Sequence, residues 1–255
     1  MTNPAKILSA LACGMFLIAS GGTAGESSRV APTGKSQPTT RPAPKAQDAQ
    51  LKLNLPRPLF EGTLPNLKKY KMRPAIKTRK ILVPKGLKLT NLALKRPVTG
   101  SDEEPIIGEL ELITDGDKEG HDGSFVELGP NLQWVQIDLG GVREIFVILL
   151  WHYHREGRIY RDVMVQVSND RDFITNVCTV FNNDHDNSAG LGIGKDSQYV
   201  DDYHGEVLLP NRHVKGVYAA RRPVRARYVR FYSNGNTSND LNHYTEVEIY
   251  GTLER

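Results

Sequence analysis

Trp134-Val135-Gln136-Ile137-Asp138-Leu139-Gly140 sets the reading of this chain. Val135, Ile137 and Leu139 alternate with Trp134, Gln136 and Asp138, the period of two that a strand with one buried face requires. The run Ile145 to Trp151 follows and is apolar almost throughout, as in a central strand covered on both faces. Further out the alternation recurs in Val163, Val165 and Val167, in Val229 and Phe231, and in Val247 and Ile249. Gly, Asn and Asp clusters punctuate every run, and no long segment after residue 100 carries helical periodicity. The pattern predicts an all-β domain, an antiparallel β-sandwich or jelly roll.

Six phrases stand in order along this half: Leu112-Ile113-Thr114-Asp115-Gly116-Asp117, Trp134 to Gly140, Ile148-Leu149-Leu150-Trp151-His152, Val163 to Ser168, Ala226 to Tyr232, and Thr245-Glu246-Val247-Glu248-Ile249-Tyr250-Gly251. Taken together they resemble the discoidin (coagulation factor V/VIII C-type) family of galactose-binding-like β-sandwiches, over roughly residues 90–252. The resemblance implies a fold before a function, because that fold hosts sugar binders, lipid binders and adhesion modules.

Residues 1–24 read as a signal peptide. Lys6 supplies a positive start, Ile7 to Ala19 is apolar, and Gly22-Thr23-Ala24 offers small residues before a cut. The stretch is short for a spanning helix. Ala10-Leu11-Ala12 before Cys13 lacks the usual Leu of a lipidation site. An exported protein, periplasmic or secreted to the cell surface, is the expectation. Cys178 is then alone, so no internal disulfide is expected, and its place between Val177 and Val180 suits a small buried hydrophobe.

Residues 25–50, rich in Pro, Ser, Thr, Ala and Gln, read as a disordered linker. Residues 51–90 hold Leu53, Leu55, Leu59, Ile76, Ile81, Leu82 and Val83 among prolines and lysines. This is too apolar for a free linker and too Pro-rich for a helix, so an extended N-terminal arm packed along the sandwich of residues 91–255 is expected. Charge divides the same way. Residues 25–98 hold 17 Lys/Arg against 3 Asp/Glu, a net of +14, and residues 99–255 hold 15 against 26, a net of −11. The arm is either drawn onto its own acidic domain or left to meet an anionic surface. Nucleic acid is not the expected partner, since the acidic domain would repel phosphate.

Three segments carry candidate chemistry. In Asp115-Gly116-Asp117 two short carboxylates around a Gly offer the hard oxygens that Ca²⁺ takes, or form a plain Asp-Gly turn. The family resemblance implies a structural calcium here, with Glu246 of the last strand as the other carboxylate and Leu112 and Thr245 as carbonyl donors. The family's Thr and Trp beyond this turn are replaced by Lys118-Glu119-Gly120-His121-Asp122-Gly123-Ser124.

The second segment, Asn182 to Asp196, sets Asp184, Asp186 and Ser188 in alternation but lacks the Gly and Glu positions of an EF-hand. Its Gly190, Gly192 and Gly194 lack the strand-to-helix setting of a dinucleotide loop. A polar binding loop or a merely solvated one remains. The third, Ser233 to Tyr244, is dense in amides. With Trp151, His152 and His154 it offers the paired donors, acceptors and aromatic faces that sugar hydroxyls and rings use. The expected glycan site is therefore Trp151, His152, His154, Asn182, Asp184, Asp186, Asn239, Asn242, His243 and Tyr244. The His spacing does not argue for zinc.

No Gly-x-Ser-x-Gly elbow occurs, and no carboxylate pair stands out for glycoside hydrolysis. The expected function is a non-catalytic carbohydrate-binding, lectin-like module for a glycan of the envelope or matrix. The alternatives are a protein-interaction or structural envelope domain and, further off, a metal-dependent hydrolase built on Asp184 and Asp186.

Overall fold

A computed structural model describes residues 48–59, 67–72, 79–209, 212–214 and 217–253. These belong to one folded unit that begins at Asp48. The expected signal peptide, and the linker as far as residue 47, lie outside the described residues. Fourteen strands follow in order: β1 (Asp48–Gln50), β2 (Lys80–Pro84), β3 (Thr90–Asn91), β4 (Val98–Gly100), β5 (Val126–Pro130), β6 (Gln133–Trp151), β7 (Met164–Ser168), β8 (Cys178–Asn182), β9 (Glu206–Val207), β10 (Arg212–Val214), β11 (Val217–Ala219), β12 (Val224–Ser233), β13 (Leu241–Tyr244) and β14 (Glu246–Thr252). No α-helix occurs among the described residues, and none of their helices is long and apolar enough to cross a membrane.

The main sheet runs β3-β14-β6-β12-β7-β8, with β4 and β9 also paired to β6. All of the pairs within it are antiparallel. β13 and β5 make a separate two-stranded sheet. β6 is the spine, and its two halves do different work. Val135, Ile137 and Leu139 from the first half and Ile145, Ile148 and Leu150 from the second enter the same core, joined by Val163, Val165, Val229, Phe231, Val247 and Ile249. The chain bends between the halves at Gly140, whose φ of +76° suits glycine. Opposite the bend, β12 is irregular between Ala226 and Tyr228. Arg227 at that irregularity holds both oxygens of Asp138 at 2.8 Å, and Asp138 Oδ1 also accepts the Gly140 N–H at 2.8 Å. This clasp holds β12 to β6 where their register shifts.

The second half of β6 is covered on its other face too. Phe146, Val147, Leu149 and Trp151 form a second apolar cluster with Ile81, Val83, Val207 and Tyr218, and Leu51, Leu53 and Leu89 pack against it. The cover is a second sheet, β1-β2-β11-β10, in which β2 runs parallel to β11. Residues 80–84 dock through alternation: Ile81 and Val83 point in while Lys80 is exposed. Burying two such side chains contributes about 3–6 kcal/mol before ordering costs. Asp48–Gln50, assigned to the linker on composition, is instead strand β1. It pairs with β2, and Asp48 takes the Arg221 guanidinium.

Candidate functional site

The Asp-Gly-Asp loop closes a 3-10 turn, Leu110–Thr114. Gly116 at φ +96° turns the chain so that its N–H reaches Glu246 Oε2 at 3.1 Å. Asp115 Oδ1 accepts the Asp117 N–H at 2.7 Å, and Asp117 Oδ1 accepts the Glu119 N–H at 2.9 Å. Glu246 opens β14 and is fully buried. Its Oε1 has no hydrogen-bond partner. Burial, with the charges of Glu248 and Asp115 adding to it, pushes its pKa up to about 9, against the pull of the Gly116 N–H and Lys118. The Lys118 ammonium is itself taken by Glu248 at 2.6 Å. Gly116 and Glu246, 130 residues apart, are thus hydrogen-bonded, and the Asp115 charge lies near enough to act on Glu246. Leu112 lies half-buried in the same turn. Thr245 is buried beside Glu246, its hydroxyl donating to the His152 carbonyl at 3.1 Å.

The second segment folds back on β8. Asn182 accepts the Asp184 N–H on its side-chain oxygen at 2.8 Å and donates to the Gly192 carbonyl at 2.9 Å, while its backbone oxygen accepts the N–H groups of Lys195 and Asp196. A Cβ on Gly194 would stand 2.5 Å from the Asn182 oxygen, so glycine there serves a close backbone approach and not a phosphate. Buried Asp184 accepts from the Ser188 and Ala189 N–H groups, and Asp162 accepts from the Ser188 hydroxyl and the Asn234 amide. Oxygens of Asp162, Asp184 and exposed Asp186 lie within 4.8 Å of one another, within reach of a single cation. Between this loop and β8 lies an open groove of about 330 Å³. It is lined by Thr179, Val180, Phe181, Asn182 and residues 191–196.

The third segment corrects the expected rim. Trp151, His152, His154, Asn182, Asp184, Asn242, His243 and Tyr244 are all buried, and only Asp186 and Asn239 reach the surface. The reason is that neighbouring loops meet their polar atoms. Trp151 Nε1 donates to the Tyr203 carbonyl at 3.0 Å, and Gly205 sits flat on its indole. His152 Nδ1 lies 3.1 Å from Asp201 Oδ1, and its ring stacks 4.0 Å from that of Tyr160. His154 Nε2 donates to the Lys118 carbonyl at 2.7 Å. Asn242 accepts from the Ser233 hydroxyl and the Gly235 N–H and donates to the carbonyls of Gly129 and Asn131, which uses its whole hydrogen-bonding capacity. Tyr244 shares a hydrogen bond with Ser233, and burial raises its pKa. Asn239 accepts from Asn236 and the Leu241 N–H.

His243 Nε2 stands 2.9 Å from Glu127 and 3.3 Å from Arg158. The carboxylate alone would favour an imidazolium. Burial and the Arg158 charge outweigh it and hold the pKa down to about 3. These groups staple loops together and offer no stacking face.

Asp162, Asp201, Glu127 and Arg158 escaped the sequence reading. Only the Asp201-Asp202 doublet carried a signal. The others sit singly in turns or strands without a pattern.

No protein-family model matches the chain, and no curated protein matches it. Solved structures similar to it include a family 89 glycoside hydrolase from Clostridium perfringens (20% identity, TM-score 0.43, 64% of this chain and 15% of that one). They also include a chitosan-binding module from Paenibacillus sp. IK-5 (21%, TM-score 0.39, 64% and 99%). A third is the family 32 carbohydrate-binding module of C. perfringens NanJ in complex with galactose (9%, TM-score 0.45, 64% and 99%). The chain therefore spans a small part of the hydrolase and nearly all of each binding module.

Proposed function

We propose that this chain is an exported, non-catalytic carbohydrate-binding module whose sugar site is the groove between β8 and residues 191–196. That groove carries the reading. It sets the Thr179 hydroxyl, Lys195 and Asp196 beside Leu191 and Ile193, which are 40% and 70% exposed. Polar groups of both senses beside an apolar face match a sugar ring, which has hydroxyls at its edge and C–H groups on its faces. Each neutral hydrogen bond contributes on the order of 1 kcal/mol, so affinity on the order of micromolar to millimolar is expected. A glycan array with the mature protein tests this. Ile193→Ala with Lys195→Ala should abolish the signal and leave Tm unchanged. A silent array, with a protein recovered from envelope extracts through the same residues, would replace this reading with a protein-interaction domain.

The Asp115–Glu246 pair fits a structural Ca²⁺. A buried carboxylate oxygen without a partner, next to a second carboxylate, is stabilised by a cation more than by any group now around it. Glu246 and Asp115 would hold the ion with carbonyls from Leu112 and Thr245, and Asp117 would brace the loop. The ion would tie the last strand to the turn before β5.

A further inference from the structure

The arm leaves its sheet early, and a cavity opens where it leaves. The β1–β2 register ends with Gln50 opposite Leu82, and the Leu51 N–H still donates to the Ile81 carbonyl at 2.8 Å. From Lys52 to Leu59 the chain is no longer strand, and Pro56 and Pro58 have no N–H with which to resume a ladder. Between this stretch and the sandwich lies a cavity of about 300 Å³, at the lower end of the range for small-molecule sites. Its walls are aliphatic: Leu51, Leu53 and Leu55 from the arm, Ile81 from β2, Leu149 from β6 and Val207 from β9.

The charged groups in the wall are of one sign. Lys52 and Arg79 line the cavity with Gln50 and His204, and no carboxylate does. Burial lowers the pKa of His204, so its imidazole is neutral at pH 7. Arg79 is a buried cation, its side chain only 7% exposed. Asp202 takes its Nη2 at 3.0 Å and Glu206 stands 3.9 Å from the same nitrogen, but neither acid reaches the cavity wall. Asp202 also accepts the His204 N–H at 2.9 Å. Nε and Nη1 of Arg79 have no hydrogen-bond partner among the described residues. A guanidinium carries five N–H donors, and leaving some of them unmet in a dry setting is costly. The wall thus sets positive charge beside aliphatic carbon. Apart from the His204 imidazole it holds no ring on which a sugar could stack.

We propose that this cavity binds a small aliphatic carboxylate, an alkyl chain ending in a single acid group. The chain would lie against the leucines, Ile81 and Val207. The carboxylate would supply, beside Lys52 and Arg79, the negative charge that the wall lacks. At about 30 Å³ for each water-sized group, the space holds on the order of ten heavy atoms, the size of octanoate. The cavity shares no residue with the β8 groove and is independent of the sugar reading.

Titration calorimetry of the full chain with sub-micellar octanoate tests this, with octanol, acetate and phosphatidylglycerol vesicles in parallel. Octanoate should bind saturably and about tenfold more tightly than octanol, which has the chain without the charge, or acetate, which has the charge without the chain. Lys52→Gln should weaken octanoate binding about tenfold. Leu53→Trp should fill the space and abolish binding, with a Tm no lower than that of wild type. Lys52 is exposed, so its variant reports on binding even if the tryptophan disturbs the arm. Absence of octanoate binding, octanol bound as tightly as octanoate, unchanged affinity in either variant, or binding to vesicles alone would each overturn the proposal.

Discussion

Asn242 shows how a side chain can look like a ligand contact and serve as a staple. All four of its hydrogen-bonding positions are used inside the protein, joining the ends of β5 and β12 to β13. Asn242→Ala would strand two carbonyls, a backbone N–H and a hydroxyl in a dry setting. We expect a loss of about 3 kcal/mol or more, read by urea denaturation, with glycan binding by the surviving folded fraction unchanged. A variant as stable as wild type would mean that water takes over these partners. Asp138 makes a smaller, pH-dependent contribution. Hydrogen bonds from Arg227 lower its pKa from the ordinary 3.8. The folded value is the depressed one, so the contribution is complete above 3.8 and fades as pH falls through the folded value. The pair is partly exposed, so no more than about 1 kcal/mol is at stake. Denaturation midpoints of Asp138→Asn and wild type should differ at pH 6 and draw together as pH falls below 3.8.

At the scale of elements, the strands were legible because their alternation is physical. Val135-Ile137-Leu139 and Val247-Ile249 each place one side in the core. The doubly buried Ile145–Trp151 run was legible for the same reason, as a row with no polar side. An arm covering the sandwich was legible from its apolar residues, but Lys80–Pro84 is too short to show by its period that it is a strand paired with β11. The binding rim was misread for a different reason. Composition marks polar residues, but whether a backbone group from a distant loop meets each one is a tertiary fact. The arm's docking can be tested directly. Ile81→Asp with Val83→Asp would bury two carboxylates without partners, and the arm should detach while the sandwich persists. Trypsin should then cut at Lys80 and Lys88 within minutes, whereas in wild type these two sites should resist. Equal resistance in both proteins would mean that the β1–β2 pairing alone holds the arm.

For the molecule as a whole, calcium at Asp115 and Glu246 would tie together segments far apart in sequence, so it should act on global stability. Adding the ion at 100 times its Kd stabilises the folded state by about 2.7 kcal/mol, a rise in Tm of a few degrees for a domain of this size. Melts in EDTA and in calcium should differ by that amount for wild type and coincide for Glu246→Gln. Identical midpoints for wild type would remove calcium from the account.

The parallel pairing of β2 with β11 also decides where the molecule can be shortened. The family resemblance spans roughly residues 90–252, which invites a truncation near residue 90. A chain started at 91 would lose β1 and β2 and uncover Val147, Leu149 and Trp151, side by side on one sheet face. It would also leave β11 as an open strand edge. A contiguous apolar patch beside an unpaired edge is a recipe for self-association. The shortest soluble form should therefore begin near Asp48, and a product begun at 91 should elute as aggregates on size exclusion even if its sandwich folds.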